Sequence, residues 1–142
     1  MIFSAQQLFS DDQAITASAD STNVIDLGVA GTPYDSNQLN QDVGKGNKVP
    51  VLVQVTEAFN NLTSLEVIIS TGATTALGTS VISETIPLAE LVAGKQMVIE
   101  VLPNELTERY LGIEYVVTGT APTTGKVTAG ITMGNQTNVT GA

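Results

Sequence analysis

The chain has 142 residues, no cysteine, histidine or tryptophan, and 14 acidic against five basic side chains, a formal net charge of −9. This composition excludes disulfides, thiolate metal sites and imidazole chemistry, and its acid-rich surface opposes nucleic acid and anionic lipid, whose recognition rests on Lys and Arg. A chain of this length is one domain and buries about two thirds of its unfolded surface, so its core needs no covalent staple.

Residues 1–20 follow neither the helical nor the strand period. Ile2, Phe3, Leu8 and Phe9 are apolar, then Ser10-Asp11-Asp12 turns polar. They are read as an extended N-terminal arm that folds back over its own domain, packs on a neighbouring molecule or forms a short amphipathic helix. No basic, apolar leader pattern marks a secretory signal, and no apolar run approaches membrane-spanning length.

The body, residues 21–133, reads as strands. Thr22 to Leu27 is a strand candidate closed by Gly28, and residues 29–48 form a long loop of the kind that carries function. Val49-Pro50-Val51-Leu52-Val53-Gln54-Val55 is apolar on nearly both faces, with Pro50 suited to a strand end or edge. Asn60-Asn61 signals a turn, after which Leu65, Val67 and Ile69 alternate with Glu66, Ile68 and Ser70. A Gly/Thr-rich loop leads to a strand from Thr79 to Ile86. Pro87 to Gly94 is the one helical turn, with Pro placed to start it and Gly to end it. Met97, Ile99 and Val101 make one face of a strand broken by Pro103-Asn104.

The clearest alternation comes last. Leu111, Ile113, Tyr115 and Val117 share one face, and Val127, Ala129, Ile131 and Met133 share another. The Gly/Pro/Thr segment between them predicts a β-hairpin. Residues 134–142 are a polar tail. Many short strands with Gly/Pro punctuation give an all-β, antiparallel β-sandwich, and about eight strands fit an eight-stranded jelly roll. An immunoglobulin-type sandwich is the runner-up, weakened by the absence of cysteine and tryptophan.

Candidate chemistry is sparse. Asp11-Asp12 and the pair Glu105 and Glu108 are the carboxylates that could act together, but solvated acids are the simpler reading. Gly44-Lys45-Gly46-Asn47-Lys48 lacks the upstream glycine, the Ser or Thr after lysine and the helix of a phosphate loop. No segment has the carboxylate spacing of a calcium loop. The three Asn-x-Thr triplets at Asn61, Asn135 and Asn138 are chance matches in an Asn/Thr-rich chain. Tyr34 is the one aromatic side chain free to stack on a sugar. The composition therefore predicts no enzyme and no cofactor, and points to a structural or interaction protein.

The segments Met1-Ile2-Phe3-Ser4-Ala5-Gln6-Gln7-Leu8-Phe9-Ser10-Asp11-Asp12-Gln13-Ala14-Ile15-Thr16 and Ser21-Thr22-Asn23-Val24-Ile25-Asp26-Leu27-Gly28 resemble the start of tailed-phage capsid cement proteins of the Bordetella-phage type. Ile86 to Gly94, Arg109-Tyr110-Leu111, Thr118-Gly119-Thr120 and Gly125 to Ile131 resemble later family segments in the same order. The resemblance implies a jelly-roll decoration protein on the outer surface of the virion. There it would bind across the major capsid proteins of an icosahedral head and reinforce them, without catalysis or cofactor. Residues 29–48 depart from the family pattern. From the residues themselves, Ile2, Phe3, Leu8 and Phe9 are expected at the partner contact or bracing the arm that makes it. Asn135 and Asn138 join them, in a tail with little to bury against its own core. The expected partners are the major capsid protein and further copies of the chain, a dimer favoured over a trimer, with no nucleic acid and no membrane. The alternative reading is a receptor- or carbohydrate-binding sandwich of a virion fibre or cell surface.

Overall fold

The computed structural model describes residues 3–29, 31, 48–100, 102, 106 and 108–133. Nine strands are described: β1 (Phe3–Ala14), β2 (Ala19–Asp20), β3 (Ile25–Asp26), β4 (Val51–Glu57), β5 (Leu62–Gly72), β6 (Thr79–Pro87), β7 (Gln96–Ile99), β8 (Tyr110–Gly119) and β9 (Lys126–Thr132). The turn after Pro87 is a short 3-10 helix, Leu88–Glu90.

All strand pairs are antiparallel. One sheet has the order β1-β9-β4-β7, the other β2-β8-β5-β6, with β3 also on β8. Because β2 lies beside Tyr115 and Glu114 and β3 beside Leu111 and Tyr110, the two short pieces act as one broken strand. Eight strand positions result, in the order of a jelly roll. The strand expected over Thr22–Leu27 is thus only Ile25–Asp26, preceded by β2.

The period-2 alternation places one face of each sheet in a shared core. Val51, Val53 and Val55 of β4 meet Leu65, Val67 and Ile69 of β5, with Leu111, Ile113 and Tyr115 of β8 and Val127 and Ala129 of β9. Each such side chain contributes roughly 1.5–3 kcal/mol by leaving water.

The predicted β8–β9 hairpin does not form: β8 belongs to the five-stranded sheet and β9 to the four-stranded one. Both apolar faces meet the same core, but from opposite sides. The segment between them is held by the preceding turn instead of closing on itself. The Asn60 side chain accepts from the Thr123 and Thr124 amides at 2.8 and 3.2 Å and donates to the Thr123 hydroxyl at 2.7 Å. Gly125 ends the crossing with φ +134°, and a Cβ there would sit 2.3 Å from the Phe59 ring. No other residue fits.

The N-terminal segment is also more than an arm. Residues 3–14 are an edge strand on β9, and Phe9 is fully buried in the core. A polar staple ties this strand to the opposite sheet. Ser10 Oγ lies 2.8 Å from the Tyr115 hydroxyl and donates its own proton to Gln13 Oε1 at 2.7 Å. Tyr115 must therefore be the donor to Ser10. Gln13 passes the link on, donating to the Asp20 carbonyl at 2.9 Å and accepting from the Thr22 amide at 3.0 Å. Burial pushes the Tyr115 phenol far above its ordinary pKa, so it keeps the proton it donates.

Candidate interaction surface

The outward face of the four-stranded sheet changes character along its length. Ala129, Val53 and Met97 point into the core, so their chain neighbours Gly130, Leu52 and Val98 point outward. These outward residues form one row with Leu8: Leu8 opposite Gly130, Gly130 opposite Leu52, Leu52 opposite Val98. An apolar row is unusual on the solvated side of an antiparallel sheet. Leu52 is nonetheless buried.

Gly130 makes the row possible. A Cβ at this position would lie 2.9 Å from the Phe3 ring, 3.0 Å from the Gln7 carbonyl oxygen and 3.1 Å from a Leu8 methyl. The missing side chain lets β1 lay Phe3 and Leu8 over β9. Between these two, the ladder slips: Phe3 faces Thr132 and Leu8 faces Gly130. The extra residues of this slip fall within residues 4–7, all exposed, as in a bulged edge. Beside them lies an open groove of about 390 Å³, lined by Phe3, Val49, Pro50, Ile131 and Met133 among others.

The far end of the same face is polar and tied down. Asp12 sits in the left-handed region with φ 47°. Its amide donates to Thr128 Oγ1 at 3.0 Å, and its carboxylate accepts from Thr56 Oγ1 at 2.7 Å and from Lys126 at 2.9 Å. Hydrogen bonds from Lys126 and then Thr56 hold the Asp12 carboxyl below its ordinary pKa. Gln54, opposite Thr128 and Gln96, continues this polar half.

Positive charge is nowhere left free among the described residues. Lys48 lies 3.9 Å from Glu100, Lys95 pairs with Glu90, Lys126 with Asp12, and Arg109 with Asp26. The last pair is bidentate, both bonds 2.7 Å, with the guanidinium 4.9 Å above the Tyr110 ring. The Arg109 hydrogen bonds, and then the Gly28 amide, lower the Asp26 carboxyl to about 2. Among the described residues no group of acidic side chains could hold a metal ion, and no helix is long and apolar enough to cross a membrane.

Of the contact residues expected from sequence, Phe3 and Leu8 are brought together over Gly130. Phe9 belongs to the core and braces the strand from within. Ile2, Asn135 and Asn138 lie outside the described residues, as do Tyr34, Glu105 and residues 44–47. Asp11 is exposed, whereas its neighbour Asp12 is committed to the Lys126 pair. Sequence reasoning missed Leu52, Val98 and Pro50, although the unbroken run Val51-Leu52-Val53 was the signal that both faces of β4 are apolar. Met133, assigned to the buried phase of β9, is 92% exposed, because the strand ends at Thr132.

No curated protein matches the chain. A family model, Bbp16, matches residues 9–131, from the core residue Phe9 through the last core-facing position of β9. The chain belongs to the Bbp16 family.

Proposed function

We propose that this protein is a capsid cement protein, bound to the outer surface of an icosahedral phage head across neighbouring major capsid proteins. A β-sandwich of this kind is consistent with a non-catalytic structural or binding module. The observation that carries the reading is the open groove lined by Phe3, Val49, Pro50, Ile131 and the exposed Met133, at the bulged edge beside the apolar row. With the half-buried Leu8 and Val98, it gives one end of the sandwich an apolar surface open to a partner. The resemblance of the N-terminal segment to phage cement proteins supplies the partner.

Such a protein acts by mass action. It binds the assembled shell and not free subunits, and at a free concentration of about 100 times Kd each site gains roughly 2.7 kcal/mol. Repetition over a shell multiplies that gain. The paired cations and net negative charge keep the exposed surface from nucleic acid and anionic cell surfaces. Two copies on a two-fold axis are favoured over three on a three-fold.

Co-sedimentation with cognate expanded shells that lack the protein tests the reading. Saturation near one copy per major capsid subunit supports it, and absence of binding refutes it. The receptor- or sugar-binding alternative centred on Tyr34, which lies outside the described residues.

A further inference from the structure

Sheet edges expose unpaired backbone groups, and proteins blunt them with bulges, charges, prolines or short strands. Three edges here are blunted. β1 has three register breaks, Asp11-Asp12 and a left-handed residue. β7 has four residues, and the β2/β3 edge is two pieces of two residues. β6 is different. It has nine residues and pairs without a slip from Ser64 opposite Pro87 through Ile69 opposite Ile82. It carries no Lys or Arg, no interior proline and one charge, Glu84. Ser83, Glu84 and Thr85 at its middle are exposed. Among the described residues no strand lies beyond it.

We infer that the β6 edge is a docking site for an extended, basic segment of a partner protein, which adds a sixth strand to the five-stranded sheet. In an antiparallel ladder about half of an edge strand's residues turn their N–H and C=O outward, and these would hold the incoming backbone. Charge selects the occupant. Glu84, opposite the core-facing Val67, lies on one face of this sheet and Asp20, Glu66 and Glu114 on the other, and none has a cation partner among the described residues. A Lys or Arg opposite Glu84 would have its Cβ roughly 5 Å from that of Glu84. One opposite Thr85 would lie about 10 Å from Glu66, two strand spacings away, within reach of a long basic stem. A second copy of the chain would instead bring one net charge of −9 against another. The inference stands apart from the shell reading, and its test uses no shell.

The probes are three fluorescein-labelled octapeptides added to the full chain: alternating lysine and valine, alternating glutamate and valine, and the lysine peptide N-methylated on every backbone nitrogen. Anisotropy reads binding, and residue-resolved hydrogen exchange reads its place. The lysine peptide binds and slows exchange about tenfold at the β6 amides that face away from β5. The other two peptides do not bind. Glu84→Lys, at an exposed position, weakens the lysine peptide about threefold to tenfold. The inference is overturned if no β6 amide is protected, if the methylated or acidic peptide binds as well, or if Glu84→Lys leaves affinity unchanged. Concentration-dependent protection of β6 without peptide would also overturn it, by making a second copy the occupant.

Discussion

Replacing Ser10 by alanine removes a hydroxyl that stands between the two sheets, accepting from Tyr115 on β8 and donating to Gln13 on β1. Ser10 and Tyr115 are both fully buried, so water cannot stand in for a lost partner. Tyr115→Phe deletes the donor and keeps the ring in its packing, at a cost of about 1 kcal/mol. Ser10→Ala strands the Tyr115 hydroxyl and takes one of two donors from Gln13 Oε1, at about 2–3 kcal/mol. In the double variant the stranded hydroxyl is gone, so the costs do not add, and the coupling is about 1–2 kcal/mol. For a domain of this size each kcal/mol moves Tm by roughly 3 °C. Urea unfolding of the four proteins closes the cycle, with Ser83→Ala on the exposed face of β6 as a control. Additivity within about 0.3 kcal/mol would refute the staple. So would a Ser10→Ala cost no larger than that of the control.

Further predictions concern charge and glycine. Asp26 titrates at about 2 in the folded chain against an ordinary 3.8. Its charge therefore stabilises the native state above the ordinary value, and this contribution fades as pH falls from about 4 to about 2. Arg109→Ala should return the carboxyl toward its ordinary value by carbon-13 NMR titration, and an unmoved midpoint contradicts the assigned cause. The same measurement on Lys126→Ala should raise the Asp12 pKa, whose largest lowering cause is the Lys126 hydrogen bond. Gly125→Ala combines a left-handed backbone with a clash into the Phe59 ring and should cost about 3 kcal/mol or more. Gly130→Ala meets the Phe3 and Leu8 side chains as well as a carbonyl, and the side chains can yield, so about 1 kcal/mol is expected. Urea midpoints in the reverse order would contradict the two environments.

The strands were legible because burial leaves a period in the sequence. Leu65, Val67 and Ile69 announce the core face of β5, and Leu111, Ile113 and Tyr115 that of β8. Pairing was less legible. Alternation identifies which face is apolar but not which strand lies alongside, so β8 and β9 looked like a hairpin when they belong to opposite sheets. The first strand was hidden for another reason. Three register breaks against β9 scramble its period, so Leu8, Phe9 and Ser10 read as an irregular arm. Half of the candidate surface was visible in Phe3 and Leu8. The other half depends on Gly130, where the absence of a side chain carries the information, and on Leu52, whose outward direction needs the register of β4 against β9.

If the apolar end of the four-stranded sheet is the docking face, quantitative co-sedimentation with cognate shells will depend on its side chains. Phe3→Asp and Val98→Asp place charge in the groove and at the end of the outward row, while Val116→Asp places it on the outward face of the other sheet. The first two should each weaken shell binding about tenfold or more, with Val116→Asp unchanged and all three folded. Undiminished binding by Phe3→Asp and Val98→Asp, or loss confined to Val116→Asp, would contradict that docking face.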